Sequence, residues 1–596
     1  MKKRLTAIVL CFVFILTGVP AWGGSVFAVE KGETTPAAKA EHTQLGMPAI
    51  AIKTVSGAAI SSGETYLSAE LTTINDQGEY EFKDKSVSVK LRGNSSMNSD
   101  KKSYKLKFSE KQNLLSIGKG KGKTWCLISN CYDGSLLRNL TAYRFGALLT
   151  NISYTPDCRS AELYVNGEYQ GVYLLCEDVN VNKNRVAIEE EPDEVEKNGY
   201  LVEMSRYAVE NKFDLDTATY EVKSDLSENQ SIRKKQLTYI SNSIKKAYDA
   251  LNKGNEKEVG KYVDLDSLVD IYIANEIFKN VDAGWDSFYM YKPVDGKLCF
   301  GPLWDFDLAM GNANCVKGIE SWEGFNPYHV LNLNANSNPW FCRALSQKWF
   351  RNLVKKRWNK LQEKIDTLPK SVIKEAEGNI KAYSRNFEKW DVLGRQVYIE
   401  PIQITKLTTY KGQYTYLANW LSKRIKWLSK YYNSKDFTNG TFVNEEGEKL
   451  TVNYNLLEMS PVLALANSYQ DMTYAMSSNT GISMSIKNAG TDSWSTQIVA
   501  SGFMLEAGAE YILSFDYRCS PEHPVSFSIQ QNYSPWSQYF NDTLKMNKNL
   551  QHYEVTLKAP AKDINSALAF SLGGSAFNGT DISIDNMSLV KKPVKK

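Results

Sequence analysis

Apolar and polar positions alternate in short runs over 49–55, 66–74, 87–91 and 103–108, with Gly, Asn and Asp between the runs. A period of two broken by turn residues predicts β-strands. The period then lengthens. Leu137, Leu140, Arg144 and Ala147 recur at helical spacing behind Ser135, whose hydroxyl can cap a first turn, and a helix is predicted over 135–149. Alternation returns over 161–165 and 169–175. Their Asn166-Gly167 link suits a two-residue hairpin, because such turns need positive φ at both central positions. Further on, Leu265, Leu268, Val269, Tyr272 and Ile277 predict a helix to about 279, with Asp264 or Asp266 as its cap. Residues 346–365 and 416–432 read as two more amphipathic helices. After Thr451 short runs rich in Tyr, Phe, Ser and Ile recur between turn signals, with no helical period, which is the pattern of one β-sandwich module.

These patterns divide the chain. Met-Lys-Lys-Arg, an apolar run over 5–19 and the small residues of Ser25-Val26-Phe27-Ala28 predict a secretory signal over 1–28. A polar leader over 29–46, a first domain over 47–434, a linker over 435–450 and the sandwich over 451–594 are expected to follow. No later run reaches eighteen apolar residues, so no membrane association is expected once the signal is cleaved. Loss of Lys2, Lys3 and Arg4 lowers the formal charge from +4 to +1, which gives no support for a nucleic-acid partner. With four histidines and no C-x-x-C pair, zinc and a histidine base are disfavoured. GKGKGKT at 118–124 lacks the first glycine of a P-loop, and no G-x-S-x-G occurs.

The stretch 280–311, NVDAGWDSFYMYKPVDGKLCFGPLWDFDLAMG, carries the densest chemistry. Residues 287–292 and 297–302 read as an antiparallel hairpin around Asp295-Gly296. Asp282 enters it and Asp305 leaves it, so both carboxylates fall at one open end with Asp307 close by. Clustered carboxylates suit a hard divalent cation such as Mg²⁺. On the residues alone they serve equally well as helix caps or solvated loop acids.

Several segments in order, LRGNSS at 91–96, KKSYKLKF at 101–108, SLLRNL at 135–140, LYVNGEYQGVYLLCED at 163–178, NVD at 280–282 and WDFDLAMG at 304–311, resemble the CotH (spore-coat protein H) kinase-like family over roughly 47–432. The resemblance implies a multidomain chain whose first part is an α+β atypical protein-kinase-like domain, using ATP with Mg²⁺ or Mn²⁺. It implies Asp282 as the catalytic carboxylate, Asp305 and Asp307 as metal ligands, and Lys102 with Glu177 on the nucleotide, with Lys105 as the second choice of lysine. Where the family carries Asn before its aromatic strand, this chain has Ser287, a weaker metal ligand, preceded by Asp286. The acceptor implied is Ser or Thr of a secreted or coat protein at an extracytoplasmic or cell-surface location.

YILSFDYRC at 511–519 and TDISIDNMSLV at 580–590 resemble the β-sandwich carbohydrate-binding modules of polysaccharide-degrading enzymes. That resemblance implies a polysaccharide or cell-wall glycan as partner, with Trp494, Tyr533, Trp536 and Tyr539 as stacking candidates. Two rivals remain at this point. One is a non-catalytic, glycan-tethered pseudokinase, favoured by Ser287. The other is a glycoside hydrolase using Asp282 and Asp305, disfavoured by the lysine strand and the Asp-Phe-Asp setting.

Overall fold

The computed structural model describes residues 46–330, 336–450, 455–459, 462–466, 471–478 and 480–592. The expected signal over 1–28 and nearly all of the leader lie outside these. Two compact units emerge.

The first unit combines the described chain up to Cys131 with Cys158–Asp178 and Asn379–Asp391. Strands β1 (Ala49–Thr54), β2 (Leu67–Ile74), β3 (Tyr80–Arg92), β4 (Ser103–Gln112), β5 (Gly122–Ile128), β6 (Cys158–Val165) and β7 (Glu168–Glu177) close into a barrel of order β1-β2-β3-β4-β5-β7-β6. Closure comes from parallel pairing of β1 with β6, Ala49 opposite Glu162 through Ile52 opposite Val165. Asn166 (φ 51°) and Gly167 (φ 89°) form the predicted β6–β7 turn. The alternation seen in the sequence turns Ile52, Leu71, Val89, Leu106, Trp125, Leu163 and Leu175 into the barrel interior. Helix Ile380–Lys389 lies on β7. Lys101, buried, ties it down by donating to the Val172 carbonyl (2.7 Å) and to Asn386 Oδ1 (2.9 Å).

The second unit holds the remaining elements. Helix α1 (Arg138–Gly146) starts three residues after the expected Ser135. Asp133 is the residue that serves its first turn. Its carboxylate accepts from the Arg138 amide (2.9 Å) and from the amide and hydroxyl of Ser135 (2.9 and 2.6 Å). An antiparallel sheet of order β12-β11-β8-β10-β9 follows, from β8 (Tyr200–Met204), β9 (Lys212–Leu215), β10 (Ala218–Val222), β11 (Phe288–Lys292) and β12 (Cys299–Phe300). Helices α2 (Gln230–Lys253), α3 (Leu265–Phe278), α4 (Lys348–Ile365) and α5 (Tyr410–Tyr432) complete its core.

Of the two candidate caps for α3, Asp264 accepts from the Ser267 amide at 2.8 Å. The helix is not one-sided as its spacing suggested, because every residue from Ser267 to Phe278 is buried. Its acids are neutralised from neighbouring helices. Asp270 takes two bonds from Arg357 (2.6 and 2.7 Å), and Glu276 takes one from Arg424 (2.7 Å). The expected helix over 346–365 is α4, which starts at Lys348 after a separate helix Pro339–Ser346, and α5 begins at Tyr410, capped by Thr409. The segment read as a linker opens instead with helix Lys435–Asn439. There Phe437 is buried against Phe325 and Tyr432, at ring separations of 6.0 and 4.7 Å.

The C-terminal part is all β. Strands β13 (Val462–Ala466), β14 (Asp471–Ser478), β15 (Gly481–Asn488), β16 (Thr496–Leu505), β17 (Glu510–Ser520), β18 (His523–Gln531), β19 (Gln538–Met546), β20 (Gln551–Lys558), β21 (Asp563–Ser571) and β22 (Thr580–Lys591) form two five-stranded sheets. Their orders are β13-β16-β21-β18-β19 and β14-β15-β22-β17-β20. Phe515, Phe527 and Phe570 interlock between them at 5.1–5.4 Å. Among the described residues no helix is long and apolar enough to cross a membrane.

Candidate functional site

The carboxylate hairpin is built on the end of α3. Lys279 takes a left-handed conformation (φ 47°) that ends the helix, and its buried ammonium donates to the carbonyls of Gly318, Ser321 and Glu323 at 2.7–3.0 Å. Asn280 then bridges two elements. Its amide nitrogen donates to Asn275 Oδ1 (3.0 Å), and its oxygen accepts from the Asp282 amide (3.1 Å). The Asp282 carbonyl accepts from the amides of both Trp285 and Asp286 at 2.9 Å, folding 282–286 into one tight turn. The hairpin that follows is shorter than predicted, with only Met290 opposite Phe300 and Tyr291 opposite Cys299.

Beyond it, Trp304-Asp305-Phe306-Asp307 is fixed by α1. Asn139 Oδ1 accepts from the Phe306 amide (2.7 Å), Tyr143 Oη from the Asp305 amide (3.4 Å), and the Tyr143 ring stacks on Trp304. Arg138, wholly buried, ion-pairs with Asp133 and donates to the Ala309 carbonyl (3.0 Å). Asp305 itself has φ 60°, a left-handed conformation that a non-glycine residue holds only when its surroundings impose it.

Electrostatics join these acids. Burial first, then the charges of Asp305 and Asp286, hold the Asp282 carboxyl well above the usual carboxylate range, with Arg206 opposing. Asp307 is raised in the same way by burial, then by Asp305, Asp282 and Asp133. Asp286 is pushed up to about 7 by burial and Glu203, with Asp305 adding to them. Ser287 sits half-buried beside it at φ 56°.

A divalent cation would relieve such repulsion, since crowded, partly desolvated carboxylates gain most from a double positive charge. Among the described residues no three acidic, His or Cys side chains come close enough together to hold a metal ion by themselves. That donor set fits Mg²⁺, which is commonly held by one or two carboxylates and completed by substrate phosphates.

In the first unit the expected lysine and acid part company. Lys102 precedes β4, and its ammonium donates to the Met97 carbonyl (2.7 Å). Glu177 stands opposite Trp125 in register and so points into the barrel, where it is buried against Gly118. A Cβ at Gly118 (φ 79°) would lie 2.5 Å from Glu177 Oε1, so glycine is required there. The pair that forms lies one strand face over: Lys105 Nζ meets Asp178 Oδ2 at 2.8 Å. Burial works against the Lys105 charge, but Asp178, Cys126 and Tyr66 outweigh it and raise the ammonium above its ordinary pKa.

In the sandwich Trp494, Tyr533 and Trp536 are exposed at 58%, 43% and 51%, so none of them is core packing. Tyr539 is half-buried. The Tyr533 hydroxyl donates to Asp563 Oδ1 (3.3 Å), and Tyr539 bonds to the same carboxylate. Tyr533, Trp536 and Tyr539 thus gather near the start of β21, where Asn532 N donates to Asn565 O (2.9 Å). Trp494 belongs to the other end, where Gly573 N donates to Ser493 O (3.0 Å). At roughly 3.3 Å per residue the two ends are ~26 Å apart. Between them the sheet carries small, buried side chains in register, Val499 and Ser528 both opposite Ala569, with Ala567 beside them.

Four participants escaped the sequence reading. Asp178 adjoined a named acid, and Asp133, Asn139 and Tyr143 sat in or beside a quoted motif. Asp133 finds its partners Ser135 and Arg138 locally, whereas only the tertiary fold gives Asp178, Asn139 and Tyr143 theirs.

The geometry agrees with what sequence families report. The family model described as CotH kinase protein matches residues 89–428, more than half of the chain, and the protein belongs to that family. A carbohydrate binding domain follows it, matched over 437–576. No curated protein matches the sequence. Among solved structures, the chain is similar to one described as "CBM4 structure and function" (23% identity, 22% of this chain and 86% of that chain, TM-score 0.20). It is also similar to the N-terminal cellulose-binding domain of Cellulomonas fimi β-1,4-glucanase C (18% identity, 24% and 95%, TM-score 0.20). A third is the family 11 carbohydrate-binding module of Clostridium thermocellum in complex with a β-1,3-1,4-mixed-linked tetrasaccharide (12% identity, 24% and 93%, TM-score 0.17).

Proposed function

We propose that this protein is an exported, metal-dependent kinase that transfers phosphate from ATP to Ser or Thr of a secreted or coat protein while its sandwich holds a polysaccharide. The observation that carries this reading is the gathering of Asp282, Asp286, Asp305 and Asp307 around one turn and the Asp-Phe-Asp segment, where burial and the neighbouring acids raise the carboxyls of Asp282, Asp286 and Asp307. Structural acids are normally paired with cations, as Asp270 and Glu276 are here. At Asp282 and Asp286 the charges of neighbouring acids act in the raising direction, with Arg206 opposing them.

Each residue then has a task. Asp305 and Asp307 would hold the Mg²⁺ or Mn²⁺ that accompanies ATP, with Asp286 as the carboxylate beside Ser287. The metal, when bound, supplies charge neutralisation on the nucleotide phosphates. Asp282 orients the acceptor hydroxyl and takes its proton. A lysine of the β4 segment serves the phosphates: Lys102 with Glu177, or the second choice Lys105, which pairs with Asp178. The backbone around left-handed Asp305 is pinned, its own amide by Tyr143 and that of Phe306 by Asn139, which limits the reordering needed when nucleotide arrives.

The N-terminal run of 1–28 supports export. The aromatic clusters support glycan stacking, with Trp536, Tyr533 and Tyr539 at one end and Trp494 at the other. Calorimetry of Mg-ATP and Mn-ATP binding tests the metal assignment. Asp305→Ala should abolish metal-dependent affinity while melting like wild type, and unchanged affinity in that variant would overturn it.

A further inference from the structure

Arg206 follows β8 and is exposed, yet it is held in place. Its amide donates to the Trp285 carbonyl (2.9 Å), its guanidinium lies 4.4 Å from the Trp285 ring, and Nη2 donates to Asn336 Oδ1 (3.1 Å). Trp285 is part of the turn whose amides close on the Asp282 carbonyl. The cation is therefore fixed to the same turn that presents Asp282 and Asp286. Its charge acts on both of those acids, whereas the groups acting on Asp307 are Asp305, Asp282 and Asp133. Arg206 thus stands on the Asp282 side of the cluster. Its donors are only partly used, because a guanidinium offers five.

A stacked, pre-oriented guanidinium is suited to forked recognition of an oxyanion. On the proposed reading, Asp282 faces the acceptor hydroxyl and Asp305 with Asp307 face the nucleotide. An anion read by Arg206 therefore belongs to the acceptor and not to ATP.

We propose that Arg206 sets acceptor specificity by binding an acidic group, a carboxylate or a phosphate, next to the Ser or Thr hydroxyl. This rests on the kinase reading, and its test separates the two. The full-length protein with Mg-ADP is titrated calorimetrically with serine peptides that differ only in one flanking residue: Asp, phosphoserine or Asn. The acidic peptides should bind about tenfold more tightly than the Asn peptide, the scale of one charge-assisted hydrogen bond. A preference for Asp alone assigns the source as a carboxylate, and one for phosphoserine alone as a prior phosphorylation.

Arg206→Gln should erase the preference, and Arg206→Lys should keep part of it, because charge survives while the fork is lost. Wild type that binds all three peptides alike, or a preference that persists in folded Arg206→Gln, overturns the proposal. An Arg206-dependent preference with no transfer from Mg-ATP to any peptide upholds Arg206 and defeats the kinase reading. Transfer without preference does the reverse.

Discussion

Asp286→Asn should stabilise the protein at neutral pH. Burial, Glu203 and Asp305 raise this carboxyl from the ordinary 3.8 to about 7. A group that binds its proton more tightly in the folded state costs stability as it ionises. The folded chain therefore carries the extra proton between about pH 4 and about pH 7, and stability falls as pH rises through that window. Below about pH 4 both states are protonated and the cost vanishes; above about pH 7 it is complete. At about 1.4 kcal/mol per pH unit of separation, the ceiling is about 4 kcal/mol.

Asp286 is partly open to solvent, so screening reduces this to about 2 kcal/mol. Asparagine keeps the shape and removes the charge. For a chain of this size the gain corresponds to a rise in Tm of a few degrees. Differential scanning calorimetry in EDTA at about pH 8 and about pH 4 reads it directly. The variant should melt higher at the upper pH and level with wild type at the lower. Added Mg²⁺ should narrow the gap by relieving the same repulsion in wild type. A variant that melts lower at about pH 8, or gains equally at both pH values, would refute the electrostatic reasoning.

Other expectations are independent of that one. Arg138→Met strands buried Asp133 and frees the Ala309 carbonyl, so chemical denaturation should show a loss of about 3–5 kcal/mol; less than ~1 kcal/mol would mean the buried pair is not structural. Lys105→Met should weaken Mg-ATP binding at least ~10-fold in calorimetry, the scale of a charge-assisted contact, and a loss confined to Lys102→Met would restore the first expectation. Trp536→Ala in the full chain should cost about 2 kcal/mol of glycan affinity in polysaccharide gels, and unchanged retardation would remove it from the platform. Ser287→Asn should fold normally, because asparagine tolerates the left-handed φ of 56°. If that substitution creates transfer where wild type has none, this protein is a decayed kinase.

Local order explains what the sequence made legible. The barrel strands announce themselves by alternation, and Asn166-Gly167 marks its turn because few other residues take positive φ twice. Asp282, Asp305 and Asp307 are readable as a set because one short hairpin separates them. The choice among lysines was not readable, since Lys102 lies just outside β4 while Lys105 lies within it. Side-chain direction depends on where a strand begins, and one residue reverses it. Glu177 and Asp178 fall on opposite faces for the same reason, the first toward the barrel interior and the second toward Lys105. Helix α2 carries Ile240, Ile244, Ala247 and Leu251 on one face, so its signal was present. Arg206 meets Asp282 only through the packing of β8 beside β11, and Trp494 parts from Trp536 only through the order of strands in a sheet. Neither follows from spacing along the chain.

Transfer of labelled γ-phosphate from ATP, with Mg²⁺ or Mn²⁺, onto a serine- or threonine-containing acceptor tests the central claim most directly. The full-length protein should label the acceptor, the signal should vanish in EDTA, and Asp282→Asn should reduce it at least ~100-fold with nucleotide affinity nearly unchanged. Labelling by Asp282→Asn equal to wild type, or glycan release in place of any labelling, would contradict it.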